Sequence, residues 1–201
     1  MIRCVTFVTP EYQDWVVPLA ESCAAFGVDL RIVQKASTGS WVRNCAMKAA
    51  VVREALQANL GTGAMTLWLD ADAVLLDRLE YLEAWAKGRV FDVAALMPTS
   101  SDRNRWPHVG SRLCSGTILW ADTSSAYLAA CEWEEACRAK PDELDQEVLY
   151  EVLNKEPEKR AFGLFAYLDP RFCHIPDLMP DVTNPVISHR QASRTMRPML
   201  G

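Results

Sequence analysis

TLWLDADAVLL, residues 66–76, is an apolar strand candidate that ends on Asp70, Ala71 and Asp72 and then resumes as an apolar run. Two carboxylates inside an otherwise buried run carry a desolvation cost, which favours a functional reason for keeping them there. In an open α/β sheet, ligands collect at the carboxyl ends of the strands, so both side chains face the crevice. Acidic groups one residue apart on a turn can reach the same hard divalent cation, which keeps waters and completes its shell with substrate phosphates. The plain alternative is that Asp70 caps the next turn and Asp72 is solvated.

The segments around this strand set its context. Upstream, IRCVTFV (2–8) is followed by Val16, Leu19, Ala20 and Cys23 at helical spacing, a stop at Gly27, and the strand candidate DLRIVQ (29–34). A second helical stripe, Ala49, Val52, Leu56 and Leu60, closes at Gly61 and feeds residues 66–69. Downstream come strand candidates DVAALM (92–97) and GTILW (116–120), then one helix over about 122–139 and another carrying Leu144, Val148, Leu149 and Val152. FAYL (165–168) and PVIS (185–188) are late strands in a proline-punctuated C-terminal quarter that wraps the sheet. The alternation predicts an α/β fold with a mostly parallel central sheet flanked by helices, in one domain over residues 1–201.

Composition narrows the class. With 201 residues, half of them hydrophobic, the chain can bury a full core unaided by disulfides or metals. Twenty-one basic against 26 acidic residues gives a net charge of −5, which excludes a wholly basic nucleic-acid-coating protein but not a local basic patch. No apolar run reaches the roughly 18 residues of a membrane span, and the acidic N-terminal segment is unlike a signal peptide, so a soluble cytoplasmic protein is expected. Seven cysteines occur singly without a CxxC pair, which fits neither a disulfide framework nor a zinc knuckle.

Together with four further segments, TLWLDADAVLL resembles the nucleotide-sugar-dependent glycosyltransferases of the GT-A fold, over most of the chain. NCAMKAAVVREAL (44–56) is similar to the family helix that carries a basic residue toward the donor, a role for Lys48 or Arg53. CSGTILW (114–120) resembles the family's N-S-G strand, with Cys114 where asparagine is more usual. DELDQEVLYEVL (142–153) resembles the segment beside the transferred sugar, and ISHRQASR (187–194) the late segment supplying a histidine ligand. The layout is most similar to the retaining galactosyl- and xylosyltransferase branch. The resemblance implies a Rossmann-like GT-A sheet, Mn2+ or Mg2+ held by Asp70, Asp72 and His189, and a nucleotide-diphosphate sugar, a UDP-sugar by preference, as donor. It further implies Thr9 and Tyr12 at the nucleotide base and Asp145 and Gln146 at the anomeric side of the sugar.

The residues also have readings of their own. His189 follows an apolar run and precedes Arg190 and Arg194, so a metal-ligating imidazole sits beside two cations that can neutralise phosphate; the alternative is a surface histidine in a basic tail. Lys48 lies one turn after Asn44, on the face away from the apolar stripe, either contacting phosphate or sugar or solvated, and the same holds for Arg53. Tyr12 offers a stacking surface. Ser115 and Gly116 open an apolar strand, where glycine admits a close approach to the backbone. Asp145 and Gln146 lie in a first helical turn, where they can also serve as caps.

SDRNRWPHVGSR (101–112) concentrates Arg103, Arg105 and Arg112 around Trp106 and His108 in an acidic protein, which suits a lid, a glycan or protein acceptor, or a nucleic-acid acceptor stacked on Trp106. The expected function is metal-dependent sugar transfer, with retention mildly favoured because no residue stands out as an inverting general base. A glycosyltransferase acting on modified nucleic-acid bases, a nucleotidyltransferase and a non-catalytic nucleotide-sugar-binding domain are the alternatives. VTPEYQDW (8–15) lacks the glycines of a nucleotidyltransferase phosphate loop.

Overall fold

The computed structural model describes residues 1–107, 112–155 and 163–192. In chain order the elements are β1 Ile2–Val8, α1 Val17–Ala25, β2 Leu30–Gln34, α2 Trp41–Asn59, β3 Met65–Leu69 and β4 Ala73–Leu75. They continue with α3 Glu80–Ala86, β5 Val93–Leu96, α4 Ser100–Arg105, β6 Cys114–Trp120, α5 Ser124–Ala139, α6 Asp145–Leu153, β7 Phe165–Tyr167 and β8 Ile187–His189. Among the described residues the main sheet runs β2-β1-β3-β6-β5-β7, with β6 antiparallel to both neighbours and the other strands mutually parallel. This is the α/β class, mostly parallel, that the alternation of short apolar runs and helical stripes predicts.

Strand periodicity divides the core into two layers. On β3, Trp68 packs with α2, α5 and α6, together with Val5, Ile118 and Trp120, while Leu67 and Leu69 face the layer containing Leu19 and Cys23 of α1 and Leu82 of α3. Trp120 and Trp133 stack at 6.1 Å between ring centroids, joining β6 to α5. Trp68 on one face and Leu67 and Leu69 on the other are all buried, which accounts for the continuous apolar character of the strand.

Three features differ from the sequence reading. The apolar run after Asp72 does not extend β3; as β4 it leaves the main sheet and pairs antiparallel with β8, Ala73 opposite His189 and Leu75 opposite Ile187. Residues 101–112 are not irregular throughout, because α4 begins at Ser100 under a reciprocal capping box formed by Thr99 and Asp102. The strand read as 116–120 starts at Cys114, so Ser115 and Gly116 lie within β6.

A buried carboxylate ties the far edge of the sheet together. Asp92 accepts hydrogen bonds from Thr123 Oγ1 at 2.7 Å and from the amides of Gly163 and Leu164 at 3.0 and 2.9 Å, and Thr123 also caps α5 through the Ala126 amide. Asp92→Ala strands these donors and is expected to lower the unfolding free energy by about 1–3 kcal/mol. Replacing the exposed Lys87 by alanine should change it by less than about 0.5 kcal/mol, both read by urea denaturation.

Candidate active site

A cavity of about 340 Å³ opens where β1 and β3 end and where β6 and α6 begin. Thr9 and Tyr12 reach it from the turn after β1, Asn44 and Lys48 from α2, Asp70 and Asp72 from the end of β3, Ser115 and Gly116 from β6, Asp145 and Gln146 from the first turn of α6, and His189 from β8. Residues separated by up to 180 positions thus share one wall, because each sits at the same end of a sheet strand or on an element crossing that end.

Lys48 is neither solvated nor free. It is 4% exposed, and its Nζ lies 2.9 Å from Asp70 Oδ1, 3.0 Å from Asp145 Oδ2 and 2.9 Å from Ser115 Oγ. Burial alone would lower its pKa, but Asp145 and Asp70 outweigh burial and hold it well above its ordinary value, so the ammonium stays charged. The group also lies 5.5 Å from the Trp68 ring centroid, and the Trp68 indole donates to Asp70 at 2.9 Å. Ser115 Oγ donates to Asp145 at 2.9 Å, which completes the network. Asp145, at the first position of α6, spends its carboxylate on Lys48 and Ser115 and caps no amide of the helix.

Asp72 and His189 form the second half of the site. Asp72 Oδ1 lies 3.5 Å from His189 Nδ1, and Oδ2 accepts the Ala192 amide at 2.8 Å. Burial would push the Asp72 carboxyl up, but the imidazole, the Ala192 amide and the Lys48 charge hold it below the ordinary carboxylate range. The pairing of β4 with β8 brings these groups together across 117 residues. Gly116 provides the space for it: a β-carbon there would stand 2.8 Å from His189 Cε1 and 3.1 Å from both ring nitrogens. The close approach that the glycine admits is that of His189.

Asn44 faces inward but is occupied, with Oδ1 accepting from the Thr38 amide and hydroxyl at 2.8 and 2.7 Å and Nδ2 donating to Ser37 at 3.2 Å. It fixes the loop before α2 at the rim. Tyr12 is half-buried, and burial pushes its hydroxyl pKa up to about 12 while Trp41 donates to it. Phe7 and Trp68, tilted at 5.8 Å, continue this aromatic wall. The sequence reading did not anticipate Trp41, Cys45 or Cys173 as lining residues, and nothing in their local context marks them. Burial pushes the Cys45 thiol up and contact with Cys114 together with burial does the same for Cys173, so neither is an activated nucleophile.

Other expected residues lie elsewhere. Arg190 is exposed, with its guanidinium 5.3 Å from the Trp15 ring, and does not line the cavity. Arg194 and His108 lie outside the described residues. Arg53 sits on the outer side of α2, paired with Glu134 of α5. The basic segment also differs from expectation: Trp106 is 1% exposed, with its indole donating to Asp181 at 2.6 Å, so its ring is not a surface for stacking a base. Arg105 pairs with Asp181, Arg112 with Glu147 at 2.8 Å, and Arg103 donates to the Pro98 carbonyl at 3.2 Å. Arg105 and Arg112 are thus balanced by carboxylates, while Arg103 is engaged by a neutral carbonyl.

The donor set of Asp70, Asp72 and His189 suits a divalent cation by chemistry, two carboxylates and an imidazole on one cavity. Its geometry is half assembled. Asp72 faces His189, whereas Asp70 Oδ1 is held by Lys48 and Trp68, and among the described residues no three His, Cys, Asp or Glu side chains are grouped as a metal centre. The cavity carries three carboxylates, Asp70, Asp72 and Asp145, against the one ammonium of Lys48.

A Rossmann-like sheet with carboxylates, a buried lysine and a histidine at its carboxyl edge fits the GT-A fold. The family model for nucleotide-diphospho-sugar transferases matches residues 19–177, and the chain belongs to that family. No curated protein sequence matches it. Among solved structures it is similar to a glycosyltransferase involved in glycosylation of the major capsid of PBCV-1, at 14% identity and a TM-score of 0.72, covering 98% of this chain and 97% of that one. It is also similar to galactosyltransferase LgtC, at 14% identity, TM-score 0.58 and coverage of 100% and 94%. A third likeness is to mouse xyloside xylosyltransferase 1, at 8% identity, TM-score 0.55 and coverage of 96% and 99%. At these identities the structural likeness speaks for the fold.

Lys48→Met leaves Asp145 buried without its counter-ion and is expected to cost about 3–5 kcal/mol of stability. Asp145→Asn in the same chain should recover a large part of that loss, because the uncompensated charge is then gone, and thermal and urea unfolding of the single and double variants measures both effects.

Proposed function

We propose that the protein moves a sugar from a nucleotide-diphosphate sugar, a UDP-sugar by preference, to an acceptor hydroxyl with a divalent cation, Mn2+ or Mg2+, bound in the site, and with retention at the anomeric carbon. The observation that carries this reading is the single cavity shared by Asp70, Asp72, His189, Lys48, Asp145 and Gln146. The chain is read as one domain over residues 1–201 that works in the cytoplasm, in keeping with its odd number of scattered cysteines. Among the described residues no helix is long and apolar enough to cross a membrane.

Asp70, Asp72 and His189 would hold the cation, which when bound neutralises charge on the diphosphate leaving group. Everything else in the reading belongs to the side chains. Tyr12, with Thr9 beside it, forms the wall against which the base lies. Lys48, held charged by its two carboxylates, is a fixed ammonium at the floor of the cavity that holds Asp70 and Asp145 in place and needs no reorganisation when the diphosphate departs. Asp145 and Gln146 face the sugar, Asp145 oriented by Lys48 and Ser115 and Gln146 projecting from the same turn of α6. Asn44 orders the rim, and Gly116 makes room for His189. Arg194 is kept as a phosphate contact on sequence grounds alone. Arg190 would have to leave Trp15 to join it. For the acceptor, a glycan or protein hydroxyl is favoured over nucleic acid, since Trp106 is buried and Arg105 and Arg112 are ion-paired.

A thermal-shift panel of nucleotide sugars with and without Mn2+ tests the reading. Stabilisation of several degrees is expected for one nucleotide series only when Mn2+ is present, and Asp72→Asn should remove the Mn2+-dependent part while leaving the ligand-free melting temperature within a few degrees of wild type. Equal stabilisation by nucleotide sugars with and without Mn2+, in both proteins, would sink the metal assignment. The anomeric configuration of the product, read by proton NMR, decides retention.

A further inference from the structure

One corner of the cavity is built unlike the rest. Between Ala95 opposite Ile118 and Leu96 opposite Cys114 the β5–β6 ladder skips Ser115, Gly116 and Thr117, an irregularity that sends neighbouring residues to different walls. Ser115 joins Lys48 and Asp145, while Gly116 and Thr117 lie against His189, with Thr117 Oγ1 2.8 Å from Nε2 of the ring. Cys114 turns instead into a separate apolar cluster built around Leu96 and the buried Trp106. Four side chains of this cluster or packed on it, Cys114, Cys173, Ile175 and Leu178, line the cavity.

This corner has little to offer a hydroxyl group. Residues 173–178 supply three of the four side chains, and the one acidic or basic residue among them apart from His174, Asp177, does not line the cavity. The amides of Cys173, His174, Leu178 and Met179 all donate to carbonyls of the chain, and the His174 imidazole lies 3.3 Å from Ser188 Oγ and 3.2 Å from the Met179 carbonyl. The Cys114 and Cys173 thiols contact each other. Leu178 is only half-buried, so apolar surface stays open in a cavity whose other walls carry an ammonium and three carboxylates. A sugar hydroxyl or peptide amide placed there would lose water without gaining a partner, whereas apolar carbon would gain by leaving water.

The order of strands separates this corner from the groups read as donor contacts. Thr9 and Tyr12 follow β1 and Asp70 and Asp72 close β3, while the apolar corner lies further across the sheet, where Cys114 of β6 meets Leu96 of β5. A donor laid from Tyr12 past Asp70 and Asp72 to Asp145 leaves the β5 side of the cavity for the second substrate. A volume of about 340 Å³ shared by two substrates admits a compact group there, and polarisable sulfur packs well against an aromatic ring. We propose that Cys114, Cys173, Ile175 and Leu178 form a subsite for an aromatic ring, and that the ring is carried by the acceptor beside the hydroxyl that receives the sugar. In the sugar-transfer reading above, on which the assignment to the acceptor rests, Ile175 and Leu178 select the acceptor and take no part in making or breaking bonds.

The test titrates the full chain with methyl glycosides of glucose, galactose and xylose and with their para-nitrophenyl counterparts, with and without UDP and Mn2+, followed by methyl-group NMR. For at least one sugar the para-nitrophenyl glycoside should bind about tenfold more tightly than the methyl glycoside, and it should shift the methyl resonances of Ile175 and Leu178. Leu178→Gln should cut that advantage to less than about threefold while leaving the affinity for UDP unchanged, and Leu178→Ala, which adds no polar group, should reduce it in the same direction. Equal affinity within every pair, binding of neither member in any condition, or an advantage that survives both substitutions overturns the proposal. Para-nitrophenyl glycosides that bind against Ile175 and Leu178 but accept no sugar from any nucleotide sugar support the aromatic subsite and overturn the transfer reading alone.

Discussion

Lys48 sits at the end of the sheet with its ammonium almost wholly withdrawn from water and its hydrogens directed at Asp70, Asp145 and Ser115. A charge in that position is tolerable only while its partners remain, and each partner belongs to a different element: the end of β3, the start of α6 and the second residue of β6. The ion cluster therefore does two things at once. It holds three elements in register at the mouth of the cavity, and it concentrates fixed charge where a diphosphate would lie. Replacing such a cluster by apolar side chains would leave stability little changed; what would be lost is a set of charged groups held in place before any ligand arrives.

Next to this cluster lies a second, differently built one. Asp72 and His189 are joined by a short two-stranded ladder that stands apart from the main sheet, so the metal-type donors are carried on β4 and β8 while the lysine is carried on the sheet and α2. Between the two, Gly116 and Thr117 of β6 fit the imidazole by what the first lacks and the second offers. Asp70 is the bridge. It belongs to the DxD turn by sequence, yet in this conformation its carboxylate answers Lys48 and Trp68. In the proposed reading, a cation held by Asp72 and His189 would compete with Lys48 for Asp70, which would couple the two clusters through one carboxylate.

The basic segment before β6 shows how local composition misleads. Arg105 and Arg112 look available in the sequence because their counter-ions, Asp181 and Glu147, lie 76 and 35 residues away, and Trp106 looks like a stacking platform because nothing nearby indicates that residues 173–182 cover it. Long-range pairing converts a candidate binding loop into a structural strut. Asn44 is the converse case: its inward face is legible from helical spacing, but its amide is used to order residues 37–40.

Hydrophobic periodicity is a local property, so the elements that obey it can be read from the residues alone: β1, α2, β3, α5 and α6 follow directly from runs of period two or near 3.6, and the α/β class from their alternation. The same is true of the acidic pair Asp70 and Asp72, because carboxylates set within an apolar run are costly wherever the run lies, although of the two only Asp72 is buried. Even α4 was open to reading in Thr99 and Asp102, whose spacing is that of a capping box. Which side chain answers which is settled by the folded chain as a whole. That β4 leaves the sheet to meet β8, that Lys48 is buried rather than solvated, and that Thr117 holds Nε2 of His189 all depend on contacts across 67 to 117 residues. Such contacts leave no periodic trace, because a single hydrogen bond or ion pair constrains one side chain at each end and nothing in between.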